Sequence, residues 1–261
     1  MNMPINNENS IESSSFFLVF ERDFSSSELQ LLARLQKVFE QELPAFKELS
    51  AISFNIEKNA VINSHENISG TLLQSFDEND KPAWSLKVEK NIIEVSCFTY
   101  DKWDNVWTKA QGYLSETIKS IESPSNKLVV CILKVVDKFL ASTDNYNIEN
   151  VFNSETPYLT KNVLSETSGQ LWHVHEGWFE HLETQTYLNS LNLSTIEENG
   201  TIITNIEHTV QCQFIKKPQL ISEFRSEQIA DIFSSLHDKN KIMLRALLNS
   251  VQLKRIGLWK N

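Results

Sequence analysis

The densest group of side chains able to do chemistry is the run Leu171-Trp172-His173-Val174-His175-Glu176-Gly177-Trp178-Phe179-Glu180-His181. Successive side chains of a strand point to opposite faces, so a strand here puts His173, His175 and His181 on one side. His-x-His is a spacing that zinc and other divalent cations use, and Glu176 or Glu180 could add an oxygen donor. If the chain holds a metal, His173, His175 and His181 are its ligands. A zinc site needs three or four placed donors, however, and no cysteine, aspartate or further histidine stands at a recognisable spacing nearby. The plainer expectation is a partly exposed sheet face flanked by Trp172 and Trp178.

A second polar group, Leu236-His237-Asp238-Lys239-Asn240-Lys241, interrupts the apolar stripe of the last predicted helix. His237 and Lys241, four residues apart, share one face of such a helix. Asn240 falls near its core-facing side, where a buried amide needs hydrogen-bond partners. Asp238 diverges from His237 by about 100° around the axis and is not placed to orient that imidazole. Trp172, His173, His175, Trp178, His237 and Asn240 are therefore the candidate binding residues, and no residue is assigned a catalytic role. Phosphate loops, dinucleotide-binding turns, nucleophile elbows and His-Glu-x-x-His helices are all missing. The six glycines of the chain leave little for phosphate-cradling loops. These absences favour a binding protein over an enzyme, and no cofactor is expected.

The elements that would position these residues follow from periodicity. Residues 1–14, rich in Asn, Ser and Glu, read as a disordered tail. Phe16–Phe20 reads as a buried strand, and Leu29, Leu32, Leu35 and Phe39 recur at helical spacing until Pro44. Ala51–Glu57, Thr71–Phe76, Trp84–Val88 and Ile92–Tyr100 alternate as strands. A helix from about Asp101 to Ile121 carries Trp103, Val106, Trp107, Ala110 and Leu114 on one face. Leu128–Val136 returns as a strand, and the polar stretch Ser142–Asn150 is the best internal boundary. Leu171–Glu180, Thr184–Leu193 and Thr201–Phe214 follow as strands, with a turn at Glu197–Gly200 and a long helix from Ile229 to Val251. The expected fold is α+β in two pseudo-repeated halves, 15–141 and 142–261. Each half is an antiparallel meander packed on a long helix, in the manner of helix-grip or TATA-binding-protein-like folds.

Charge and composition narrow the partners. The chain of 261 residues carries 34 acidic against 24 basic residues, a net charge of −10, and its basic residues occur at most in pairs such as Lys216-Lys217. Nucleic-acid binding, which draws its affinity from phosphate neutralisation, is disfavoured. No apolar run approaches the roughly 20 residues of a membrane span. The polar N-terminus lacks the pattern of a signal peptide, so a cytoplasmic location is expected. Cys97, Cys131 and Cys212 are widely spaced among apolar neighbours and read as buried thiols. Only Cys131, three residues before Lys134, has a basic neighbour that could activate it.

Three segments together carry a family resemblance. They are Leu171–Glu180, the span from Trp84 to Trp107, and the Leu-His-x-x-Asn-Lys helix that runs on to Arg255-Ile256-Gly257-Leu258. The chain from about residue 16 to 259 resembles the sporadically distributed TIGR family of uncharacterised prokaryotic proteins of about 250 residues. It departs from that family at Leu128–Val136, which lacks an Arg-Tyr-x-Asn pattern. The resemblance implies an accessory protein of patchy distribution, as in antiviral defence or mobile-element systems, with no activity to carry over. The leading expectation is a non-catalytic binding or assembly protein with a protein partner or self-association. A small-molecule binder with a pocket lined by Trp84, Trp103 or Trp107 is the alternative, and a metal-dependent hydrolase using His173 and His175 comes third.

Overall fold

The computed structural model describes residues 2–259 except 7, 33, 58–59, 122–125, 166–168, 183–184, 215–217 and 221–225, with side chains at 51–67, 219 and 226 also left aside. In chain order the elements are β1 (Met3–Pro4), β2 (Ile11–Phe20), α1 (Ser26–Leu32), α2 (Arg34–Val38), β3 (Ala45–Glu57), β4 (Ala60–Phe76), β5 (Pro82–Glu89), β6 (Ile92–Cys97) and α3 (Trp103–Ser120). They continue with β7 (Lys127–Ser142), β8 (His173–Leu182), β9 (Gln185–Glu198), β10 (Thr201–Gln213), β11 (Gln219–Leu220), α4 (Ser226–Leu247) and α5 (Ser250–Arg255).

Among the described residues all the strands join one antiparallel sheet, ordered β3-β4-β5-β6-β2-β7-β10-β9-β8, with β1 and β11 pairing the ends of β7. Alternation decides which side is buried. One row can be followed across nine strands through Phe46, Leu73, Leu86, Val95, Phe16, Leu133, Val210, Asn189 and Trp178. On this side α1, α3 and α4 pack against the strands, and the core forms between. Burying an apolar side chain of this kind contributes about 1.5–3 kcal/mol relative to leaving it in water. The opposite side, with Phe17, Val19, Ile132, Lys134, Val136 and Lys138, has no helix over it among the described residues.

Several expectations need correction. The described residues of 1–14 are not a disordered tail. Met3 and Pro4 pair with Leu140 and Phe139, Ile11 already belongs to β2, and the Lys138 amide donates to the Ser10 carbonyl at 2.7 Å. The segment's polar composition concealed this because backbone pairing and polar side-chain bonds, rather than apolar side chains, tie it down. Ser142 is where β7 ends, and no further strand begins among the described residues until β8. Strand β7 runs six residues past the expected end at Val136 and pairs with β10 on one side and β2 on the other, so the two halves join in one sheet. The last helix is broken, because Leu248 leaves the helical path to bridge Phe152. Asn249 then caps α5, its side-chain oxygen accepting from the Gln252 amide at 2.9 Å. The turn between β9 and β10 is Asn199-Gly200 with φ of 51° and 76°, the conformation a two-residue hairpin requires.

Candidate functional site

Strand β7 sends Cys131, Leu133, Val135, Phe139 and Ala141 into the core, and the same parity carries Asp137 inward. Asp137 is 1% exposed, between Val135 and Phe139 on its own strand and opposite Ile206 of β10. Its Oδ1 accepts a hydrogen bond from the Ser10 hydroxyl at 2.6 Å, while its Oδ2 has no partner among the described residues. Burial pushes the carboxyl up to about 6, a shift the Ser10 hydrogen bond reduces but does not cancel.

Around Asp137 lies a cavity of about 190 Å³. Ser10 and Ile11 bound it on the β2 side, Tyr100 and Asp101 at the approach to α3, and His237, Asn240 and Lys241 along α4, with Ile256 and Leu258 at the C-terminal end. His237 stacks flat on Trp103 with ring centroids 3.7 Å apart, and burial, then Lys241, hold its pKa down to about 4. Asn240 reaches from the cavity to the buried ring of His208 on β10, its Nδ2 lying 3.2 Å from Nδ1. With the amide donating, His208 carries its proton on Nε2, which has no partner among the described residues. Burial lowers the His208 pKa to about 4 against a weaker opposing pull from Glu180, so the ring is neutral near pH 7.

The polar seam continues beyond His208. Trp178 stacks over that ring at 6.1 Å, and the Trp178 indole donates to Glu180 at 3.1 Å. Glu180 also accepts from Asn189 at 2.9 Å and pairs with Lys239, which lies over the Tyr187 ring. Burial opposes ionisation of Glu180, but the Lys239, Trp178 and Asn189 hydrogen bonds together hold its pKa below the ordinary value. Ser14, Asp137 and His208 thus surround Val135, two of them cross-strand from it and the third two residues along β7, each with an unpartnered buried atom. Buried polar atoms without partners are rare, and three on adjoining strands mark the part of the core least like ordinary packing.

The structure divides the sequence-derived candidates. His237, Asn240 and Trp178 belong to the seam under α4. Trp172 does not; its indole donates to the Tyr146 hydroxyl at 3.0 Å and its ring meets Phe152 edge-on. His173, His175 and His181 are exposed on the uncovered side of β8, where His173 engages Asn192 and His181 engages Thr186. Among the described residues no three metal-binding side chains converge. The expected tryptophan-lined pocket is also absent from the described cavities. Trp84 is core packing against Tyr113, and Trp107 packs against Phe16 and Phe233. Lys134 cannot activate Cys131, because it lies on the opposite side of β7 paired with Glu207 at 2.7 Å, and burial pushes that thiol well up.

Sequence reasoning missed Asp137, His208 and Tyr100. The signal for the first two was the parity of their neighbours: 131, 133, 135, 139 and 141 enclose Asp137, and 202, 206, 210 and 212 enclose His208. Ending the strand at Val136 hid the first. No family model and no curated protein matches the chain. Among solved structures, the di-domain ARO/CYC StfQ from the steffimycin biosynthetic pathway is 8% identical over 90% of this chain and 97% of its own. Its TM-score of 0.14 is too low to carry an argument.

Proposed function

We propose that this chain is a non-catalytic binding protein that holds a small polar molecule between its sheet and α4. The observation that carries the reading is the unpartnered Oδ2 of Asp137 on a cavity reached by Asn240, His237 and Tyr100. A buried acceptor left without a donor costs about 1–3 kcal/mol, and a ligand that supplies the donor recovers it. The cavity holds one hydroxyl–carboxylate pair, Ser10 donating to Asp137 at 2.6 Å, both of them buried. His237 is stacked on Trp103, and its sequence neighbour Asp238 is engaged by Lys241 at 2.6 Å. We read the two halves as pseudo-repeats in a helix-grip-like arrangement, with β2 and β7 side by side at the middle of the sheet. Native mass spectrometry of the chain purified from its own cells tests the reading. A small adduct retained by the wild type and lost in Asp137→Asn supports it, and an adduct unaffected by that change and by the cavity-filling Leu244→Trp refutes it.

A second reading, an accessory protein with a protein partner or a second copy, follows from the family resemblance and has one observation of its own. Strand β8 is an edge of the sheet that exposes Phe179 (59%) and Leu182 (54%), and exposed edges recruit strands from other chains. Light scattering of wild type and Phe179→Lys would separate a dimer through β8 from a monomer.

A further inference from the structure

Resting on the pocket reading above, we infer that the ligand is a small organic cation whose primary ammonium pairs with Oδ2 of Asp137. The rest of such a ligand would lie along Ile11, Leu244, Ile256 and Leu258. The carboxylate fixes the first part. An ionised carboxyl only accepts hydrogen bonds, and with Ser10 on Oδ1 the remaining oxygen requires a donor. Burial of a carboxylate is tolerated when a cation accompanies it. The neighbouring lysines of β7 and the lysine on the cavity wall are committed elsewhere: Lys138 to Glu12 at 2.5 Å, Lys134 to Glu207 at 2.7 Å and Lys241 to Asp238 at 2.6 Å. A neutral hydroxyl or amide would donate to Oδ2 but leave its charge uncompensated, and an anion would be repelled.

The surroundings agree. Besides Asp137, the titratable groups on the cavity are Glu8, Tyr100, Asp101, His237 and Lys241, with His208 behind Asn240. Tyr100 is held in its neutral form by burial and by Asp137, and His237 and His208 are neutral near pH 7, so the acids Glu8, Asp101 and Asp137 outweigh Lys241. Burial in this acidic rim raises the local attraction for a cation and lowers it for a carboxylate. The volume of about 190 Å³ is below that of pockets for drug-sized ligands, roughly 300–1,000 Å³, and suits a ligand of a few carbons.

The test uses the full chain and matched probes of one size: n-butylammonium, n-butanol and butyrate. Binding is read by calorimetry and by the carboxyl ¹³C resonance of Asp137 in aspartate-labelled protein. Butylammonium is expected to bind and to move that resonance, to weaken at least tenfold in Asp137→Asn, and to outcompete both other probes. In the wild type alone, its affinity should rise about tenfold from pH 5 to pH 7 as a carboxyl titrating near 6 ionises. Equal binding of butanol, or butylammonium binding that ignores both the substitution and pH, overturns the ammonium assignment while leaving the pocket standing. If none of the probes binds or perturbs Asp137, the pocket reading falls with it.

Discussion

Replacing Asp137 by Asn keeps the shape of the side chain and its acceptor for Ser10 while removing the charge. In the folded chain the carboxyl titrates near 6, against an ordinary value of 3.8. A group whose pKa rises on folding adds stability that is complete below about pH 4 and lost as the pH climbs through 6. At about 1.4 kcal/mol for each pH unit of difference, roughly 3 kcal/mol is lost between those limits. The substituted amide would not titrate, so the variant should match the wild type near pH 4 and exceed it by up to about 3 kcal/mol at pH 8. For a chain of this size that is roughly 6 °C in Tm. Two histidines, the buried His208 and the half-buried His237, pull the other way. His208 and His237 have pKa values lowered to about 4, so each costs stability as the pH falls from 6.5 towards 4. The wild-type pH profile is therefore a composite, and only the difference between the two proteins isolates Asp137. Calorimetry of both, from pH 4 to pH 8 without added amines, measures it. A Tm difference that stays constant across that range would refute a protonation origin.

Asn240→Ala should cost about 1–3 kcal/mol in urea unfolding, because it strips the buried His208 ring of its hydrogen bond. Trp84→Ala should cost about 3–5 kcal/mol by opening a cavity beside Tyr113; a loss under 1 kcal/mol would mean that region is not packed as described. In Gly70→Ala the new Cβ would lie 2.1 Å from the Val88 carbonyl oxygen, so the pairing of β4 with β5 must shift, read as lost amide protection at Val88 and Glu89. The double change of His173 and His175 to Ala should stay within about 0.5 kcal/mol of wild type, since both rings are exposed; a larger loss, or a dependence on added zinc, would restore the metal reading.

Strands were legible wherever alternation ran uninterrupted, as in Thr201–Gln213, and so was the Asn199-Gly200 turn. The helix from Trp103 was legible because its buried Val106, Ala110, Tyr113, Leu114 and Thr117 keep a helical period. Asn240 could be placed on the inner side of α4 for the same reason. The identity of its partner could not, because His208 lies 32 residues earlier and only the register of β10 brings it beneath the helix. Asp137 was hidden by chemistry rather than distance: a charged pair, Asp137-Lys138, resembles the end of a strand until the apolar parity beyond it is counted. The N-terminal strand was hidden because a polar segment can be held by backbone pairing and polar side-chain bonds such as Ser10 to Asp137, contributions that hydropathy does not register.

The place of β7 in the middle of the sheet also governs the order in which the chain can fold. Strand β2 is made early, yet one of its two neighbours is β7, and the Ser10–Asp137 bond spans 127 residues. At the usual pace of synthesis, about 5–20 residues per second, β2 waits roughly 6–25 s for that partner. During this interval β3 to β6 can pair through short connections, but β2 presents Phe16, Leu18 and Phe20 along an unpaired edge. Pairings of such long sequence separation are slow to form, and open apolar edges invite aggregation. The nascent chain is therefore most vulnerable after α3 and before β7, and fragments that end in that window should be the hardest to keep in solution.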